Sequence, residues 1–565
     1  MAPAETSARP TEAPAVVRGL ALAADTISAP FLLGLSGAVF AWGYDGLAFG
    51  LGLGAGLLLL QLLVAPLLPR VGASSIPQFF ALRYSGAGPR LLAALTVVLS
   101  MGTLLVAQLM AAGLVTARLL GLDLGTAIAI AGAALLAVFT LREMRAMARI
   151  RAIVFALMLL ALLAPAVQLS AEWYGLPVPQ IAYANALWQI QGLEETLLEQ
   201  ELADPAVMKP MLTPFVSLTP LNFLGLVLGL ALGAASLPSV LSRHFMAGPV
   251  RTARWSAVWA LLFALALVTA APALAAYAKL SVLKLVAERI DLAHLPEWVF
   301  AYGRLGLVEV CGAAATDTAT VAKACAALPD ASAVLRLQDL ALSPDMITLA
   351  APEITGLPDV MLGLMAAAVL VAAMVTTDAP LAALVGAMSS ETRKTWLPYA
   401  IAAAALLLAG IAATTRPGSL LEIATASFTI AAAGLFPPLL LGLWWRRASA
   451  PAAAVAMIAG LAVCLHYLLA TRYLAVGFFE TWAWLSSAGP MGREIFGELK
   501  NAWVEAAPGP ARDAAWAALD AHAQGIANWW GIRGLAAILL ALPVGLAAMI
   551  LISLVVPHRA PETAS

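Results

Sequence analysis

The stretch LVAAMVTTDAPLAAL, residues 370–384, places two adjacent hydroxyls, an acid and a proline inside a long apolar run. The four residues are Thr376, Thr377, Asp378 and Pro380. An acid at the centre of a membrane helix costs on the order of 3 kcal/mol even on lenient insertion scales, so it faces a cavity or a partner. Threonine hydroxyls in such helices ordinarily bond back to their own carbonyls. Pro380 shifts that balance, because it has no backbone donor and the carbonyl near Val375 or Thr376 loses its helix partner. A released carbonyl and two hydroxyls in one turn are hard oxygen ligands. They suit a small hard cation such as sodium better than a transition metal. One turn cannot surround an ion, so a second element is required.

Lipid is the solvent for this run. The chain has 565 residues, 62% hydrophobic and 11% charged, with a mean hydropathy of +0.92. Soluble domains carry roughly a quarter charged residues. The apolar residues fall in blocks of about twenty, the length that crosses a hydrocarbon core. Twelve spans are expected, near 17–42, 43–69, 91–117, 124–141, 150–170, 221–243, 253–280, 357–390, 396–414, 418–445, 450–470 and 534–556. A net charge of −1 gives no bulk case for nucleic acid. Residues 1–16 have no apolar core of a signal peptide and read as a disordered cytoplasmic tail.

Lysine and arginine set the orientation. With the N-terminus inside, the inner connections collect Arg70, Arg83, Arg90, Arg142, Arg145, Arg149, Arg151, Arg243, Arg251, Arg254, Arg393, Lys394, Arg446 and Arg447. The short outer ones hold only Arg118 and Arg416. Both termini are then cytoplasmic, and the long segments 171–220, 281–356 and 471–533 lie outside. In the first of these, LEETLLEQELADP (193–205) reads as a solvated surface helix. Cys311 and Cys325 share the second, and can pair if it faces an oxidising compartment. Gly46, Gly50 and Gly54, four apart in the second span, read as a helix-packing stripe.

The second ligand-bearing element is in the first span. LALAADTISAPFLLGLSG, residues 20–37, again holds an acid (Asp25), hydroxyls (Thr26, Ser28), a proline (Pro30) and glycines. A third interrupted span contains LGAASLPSVLSRHF, with Ser236, Pro238 and Ser239. The first and sixth spans are therefore discontinuous. Broken helices at matching positions of two inverted repeats are the sequence mark of a transporter site.

These segments resemble the sodium/solute symporter family, in its acetate-permease-like (cation/monocarboxylate symporter) branch. The likeness spans roughly residues 20–470 and rests on six ordered matches. They are AADTISAPFLLGLSGAVFAWGYDGLAF, SIPQFFALRY, LGLALGAASLPSVLSRHF, APEITGLPDV, the span that follows it, and GLFPPLLLGLWWRR; within the first, GYDG at 43–46 is the most branch-specific piece. The resemblance implies an all-α polytopic membrane protein of about twelve transmembrane helices, with an inverted five-plus-five, LeuT-like repeat and broken first and sixth core helices. It implies repeats at 17–170 and 221–445, and two accessory helices within 446–565. It also implies a sodium site between the first and eighth core helices, built from the carbonyls of Ala24, Ile27 and Ala373 and the hydroxyls of Thr376 and Thr377. Asp25, Asp378 and Arg151 are then coupling residues beside that site. Ser28, Pro30, Phe31, Ser236 and Ser239 face the substrate. The implied partners are sodium, a short-chain monocarboxylate such as acetate, the lipid bilayer, and a small membrane subunit of the kind found in parts of the branch. The implied location is a bacterial cytoplasmic (inner) membrane, with no cofactor beyond the coupling ion.

Three departures from the family pattern stand out. Many members carry an extra helix before the first core span. The fifth span of many members places Asp or Gln where this chain has Arg151, which argues against a second sodium. The ordinary reading of Arg151 is one more inner-face anchor. Ser239 replaces a histidine common in the branch. Two alternatives stay open: proton-coupled symport through Asp25, and a solute sensor or transporter-like regulatory protein with little flux. An enzyme finds no support, because the chain lacks His-Glu-x-x-His, Gly-x-Ser-x-Gly and a Walker loop, and its five histidines are scattered.

Overall fold

The computed structural model describes residues 14–141, 147–206, 208–244, 250–328, 332, 334–389 and 394–556. The expected tail is outside this set as far as residue 13, as are Arg142, Arg145 and Arg393. Among the described residues, 11 helical stretches are long and apolar enough to cross a bilayer. One of them, Ala29–Val64, is really two helices, Ala29–Trp42 and Leu47–Leu59, joined by a tight turn at Gly43–Gly46. Gly43 takes φ +56°, and a Cβ on Gly46 would collide with the carbonyl of Ala38 eight residues earlier. The chain has therefore folded back on itself, since eight helical residues would span about 12 Å. Counting the turn as a reversal, and joining Ala15–Thr26 to Ala29–Trp42 as one interrupted span, gives the twelve crossings expected.

The first span breaks at Ile27 and Ser28, both of extended backbone. The N–H of Ile27 closes the last bond of the first half on the Ala23 carbonyl, and the carbonyl of Ser28 opens the second half by accepting from Phe31 and Leu32. Pro30 cannot donate, so the carbonyls of residues 24–27 fall in the gap between the two ladders. The sixth span repeats the device. It runs Pro220–Ser236, turns extended at Leu237 and resumes as Pro238–His244. The eighth is Asp359–Thr376 followed by Asp378–Ser389, hinged at Thr377. The N–H of Leu381 bonds to Thr377 O, whereas the Thr376 carbonyl lies opposite the donorless Pro380.

Close packing brings the spans together. Gly52 and Gly56 of the second span admit Leu230 and Ala234 of the sixth so tightly that a Cβ would clash. Gly50 does the same against Val268 of the seventh, whereas Gly54 makes only ordinary contact with Leu265. The packing stripe is thus wider than the four-residue repeat suggests, and two of its working members, Gly52 and Gly56, lie outside that repeat.

The three long segments all follow odd-numbered spans and meet on one face. The N–H of Leu337 bonds to Leu202 O, and Arg533 donates to Ser217 O. Helices dominate there too. One short antiparallel sheet is present, with Val308–Val310 between Ala313–Ala314 and Leu340–Leu342. Cys311 and Cys325 are disulfide-bonded beside it. The acidic helix, Pro179–Glu199, is not simply solvated: Ala186, Ile190 and Leu197 are buried, and buried Glu194 accepts from the Met211 N–H.

Candidate functional site

The breaks in the first and eighth spans meet at one guanidinium. Arg151, near the start of the fifth span Met147–Tyr174, is among the most buried large side chains, with 2% of its surface exposed. Its Nε lies 3.3 Å from Asp25 Oδ1, and its Nη2 donates to Asp378 Oδ2 at 2.6 Å. Both carboxylates are buried. The ordinary reading of Arg151 as one more inner-face anchor is therefore corrected: its side chain is buried and joins three helices. Its burial is tolerable because two carboxyl groups face it, and pairing is the condition under which a charge can leave water.

Asp25 and Asp378 flank the very residues singled out as ion ligands. Asp25 sits between Ala24 and Ile27, whose carbonyls fall in the gap of the first span. Asp378 follows Thr377, whose buried Oγ1 has no hydrogen-bond partner among the described residues. Leaving a buried hydroxyl unsatisfied costs about 1–3 kcal/mol, so such a group marks a place where a ligand belongs. Thr376 differs. Its Oγ1 accepts from Gln108 Nε2 at 3.1 Å, while the buried Oε1 of Gln108 is unpartnered. The Ala373 carbonyl accepts from the Thr377 N–H at 3.2 Å, and its second lone pair is available in principle. Gln108, on the third span Ala87–Leu120, was missed by the sequence reading. Its signal was legible: an amide in the apolar run LLVAQLMAAG.

The expected substrate residues divide in the same way. Ser28 Oγ and Ser239 Oγ are buried and unpartnered among the described residues, one at each break. Ser236 Oγ donates to its own helix at Leu232 O, 2.7 Å away, in ordinary back-bonding. Pro30 is the first-turn proline of the second half-helix. Phe31 is fully buried and meets Phe428 of the tenth span edge-on, with ring centroids 5.2 Å apart.

The GYDG motif turns out to be structural. Asp45 is fully buried, and its carboxylate accepts from the N–H groups of Phe215, Ser217 and Leu218 at 2.7–2.8 Å. Tyr44 packs on Phe215 and Phe223. The motif thus staples the segment before the sixth span to the end of the first. A second staple is the outer helix Pro344–Ile354, seated on Gly37, with Thr348 donating to Leu33 O. Its Glu353, from the APEITGLPDV motif, is held by Arg118 and by Tyr302 at 2.7 Å. A cavity of about 980 Å³ is lined by none of Asp25, Arg151, Thr376, Thr377 and Asp378. It is an apolar groove beside the third, ninth and eleventh spans, so size alone does not locate the chemistry here.

Residues 12–284 match the model of the Sodium:solute symporter family. The chain is 27% identical to an uncharacterized symporter of Cupriavidus necator, over 97% of this chain and 87% of that protein. It is 28% identical to the uncharacterized symporter YwcA of Bacillus subtilis, over 43% of this chain and 44% of that one. Among solved structures, a substrate-bound, outward-open Na+-coupled sialic acid symporter superposes with a TM-score of 0.51 at 13% identity. That match covers 97% of this chain and 91% of the other. At that identity the likeness establishes the helical transporter architecture and carries nothing about the solute.

Proposed function

We infer that this chain is a member of the sodium:solute symporter family, a membrane transporter and not an enzyme, and we propose that it couples sodium to the uptake of a short-chain monocarboxylate. The observation that carries the reading is the single guanidinium shared by Asp25 and Asp378, because it brings the two broken helices to one point. Oxygen ligands then converge from both: the carbonyls of Ala24, Ile27 and Ala373 and the hydroxyls of Thr376 and Thr377. Such a set is all hard oxygen, as an alkali cation requires. Sodium binding ties the first span to the eighth, and it shifts the conformational equilibrium only by its differential affinity for the two states.

An anionic solute is favoured beside the ion. The half-helix Ala29–Trp42 presents its N-terminal end at Ser28, where the helix dipole attracts negative charge. The hydroxyls of Ser28 and Ser239, unpartnered among the described residues, supply donors. A small carboxylate such as acetate suits these two features. The disulfide Cys311–Cys325 supports an oxidising, outer location for the long segments. With the arginine bias, it supports a chain with both termini inside, in a bacterial cytoplasmic membrane. A small membrane subunit is retained as an expectation.

The test is uptake of radiolabelled acetate, propionate, pyruvate and lactate into proteoliposomes. Sodium-gradient-driven accumulation of at least one is expected. Uptake driven equally by a proton gradient without sodium would reassign the coupling ion. Solute binding by folded protein with no flux would make the chain a sensor.

A further inference from the structure

We propose that the groove of about 980 Å³ beside the third, ninth and eleventh spans binds an anionic phospholipid of the outer leaflet, with the lipid phosphate at Arg472 and Arg533. Its lining residues fall within 98–106 of the third span and 400–412 of the ninth span, Leu397–Thr414. Others fall within 422–430 of the tenth span, Leu420–Trp444, and 465–473 of the eleventh, Ala450–Tyr473. The last two runs start at the outer ends of their helices and descend about 12 Å. Along the ninth span the groove continues to Ala400, about 18 Å in all, with Met388 of the eighth in its wall. That is close to the depth of one leaflet, half of a hydrocarbon core of about 30 Å. A partner's membrane-spanning helix would need the whole thickness. Leu408 and Leu469 in the walls are both more than half exposed, so the groove opens to lipid. A Cβ on Gly102 would meet no side chain or neighbouring helix within 4 Å, so protein does not fill the space there.

The mouth is polar, and its charges do not balance. Thr471 Oγ1 lies 3.0 Å from the place of a Cβ on Gly534, so the flanking Arg472 and Arg533 share one rim. Among the described lining residues, the charged ones are these two arginines and Glu422. Arg472 sits 3.6 Å from Glu422 and donates to Pro417 O. Arg533 is exposed, donates through Nη1 to Ser217 O, and forms no ion pair among the described residues. Two guanidiniums against one carboxylate leave one positive charge at the mouth. A phosphodiester supplies one negative charge, in oxygens that match the fork of an arginine. Basic pockets between membrane helices hold anionic head groups on this principle. Trp42 and Tyr473, at the outer ends of their helices, also line the groove and suit the interface. A charged mouth above apolar walls one leaflet deep has the shape of a phospholipid. A soluble solute would leave the walls bare, and a hydrophobic helix would leave the positive charge unmatched. The bound lipid braces the tenth span from behind. Ile423, Ala426 and Ile430 face the groove, whereas Phe428, on the opposite side of that helix, meets Phe31.

The test uses the full chain, delipidated in a neutral detergent and titrated with phosphatidylglycerol or with phosphatidylcholine of the same acyl chains. Melting temperature and native mass spectrometry are the readouts. Phosphatidylglycerol is expected to be retained one per chain and to raise the melting temperature, as a ligand of the folded state does. Phosphatidylcholine is expected to bind more weakly. Arg533→Gln should weaken phosphatidylglycerol by roughly fivefold and leave phosphatidylcholine unchanged. Gly102→Leu fills the groove without a clash and should melt no lower than the wild type in lipid-free detergent, yet lose the phosphatidylglycerol step. Equal binding of the two lipids, unaltered in Arg533→Gln, overturns the proposal. If Arg533→Gln does not fold, Gly102→Leu decides: wild-type retention of phosphatidylglycerol in that variant overturns it too. A photo-crosslinking benzophenone side chain in place of Ala404, irradiated in native membranes, should yield a lipid adduct. An adduct to another polypeptide, or to a second copy of this chain, assigns the groove to protein instead and also overturns the proposal. None of these readouts requires flux, so the lipid site stands or falls apart from the choice of solute and ion.

Discussion

At the residue scale, two neighbouring threonines carry different loads. Thr377 Oγ1 has no partner among the described residues, whereas Thr376 Oγ1 is engaged by Gln108. A polar contact to a charged group is worth about 1.5–3 kcal/mol. Thr377→Ala should therefore raise half-saturating sodium by roughly ten- to hundred-fold. Thr376→Ala should also disturb Gln108 and reduce folded yield. Sodium titration of uptake in proteoliposomes checks both, and wild-type sodium affinity in both variants would place the ion elsewhere. The residue types were readable in advance: an acid and hydroxyls beside a proline in an apolar run are anomalies that a sequence displays openly. Arg151 was visible only as a departure from a pattern. Its direction could not be read, because an arginine near a span end faces lipid headgroups or the interior according to what three other helices place beside it.

At the scale of elements, the breaks were legible because proline and extended backbone announce themselves locally. The staples were not. Asp45 is bonded to N–H groups 170 to 173 residues away, a pairing no local pattern encodes. Asp45→Ala strands three buried donors, so a loss of about 3 kcal/mol or more is expected, seen as a lower melting temperature in detergent. A second staple responds to pH. Asp345, on the outer helix Pro344–Ile354, accepts from the Leu420 N–H at 3.0 Å. Burial, reinforced by nearby Glu422 and opposed by the Leu420 N–H and Arg416, raises its pKa to about 7. The folded state thus binds this proton more tightly than the unfolded chain does. The stabilisation is full below the ordinary carboxylate value and is lost as pH rises toward about 7. Hydrogen exchange across 344–354 should quicken over that interval in the wild type and show no such step in Asp345→Asn.

At the scale of the whole molecule, alternating apolar blocks and arginine-rich short connections were sufficient to read a polytopic helical transporter. The twelve spans expected, with a division at 42/43, agree with the crossings once Ala29–Val64 is taken as two helices. The close approach of Gly46 to the Ala38 carbonyl marks the reversal. The outer sheet was invisible, since strands of two or three residues lack a readable period. The long segments, the disulfide and the two staples tie one face of the bundle together, whereas Arg151 with Asp25 and Asp378 joins the broken spans where the ion is proposed to bind.

The most direct measurement is an experimental structure in sodium and in a sodium-free buffer, at a resolution that shows bound ions. The account predicts ion density in sodium only, coordinated by the carbonyls of Ala24 and Ile27 and by the hydroxyl of Thr377, with Arg151 still bridging Asp25 and Asp378. An ion bound away from both breaks, or an Arg151 turned out to the lipid, would contradict it.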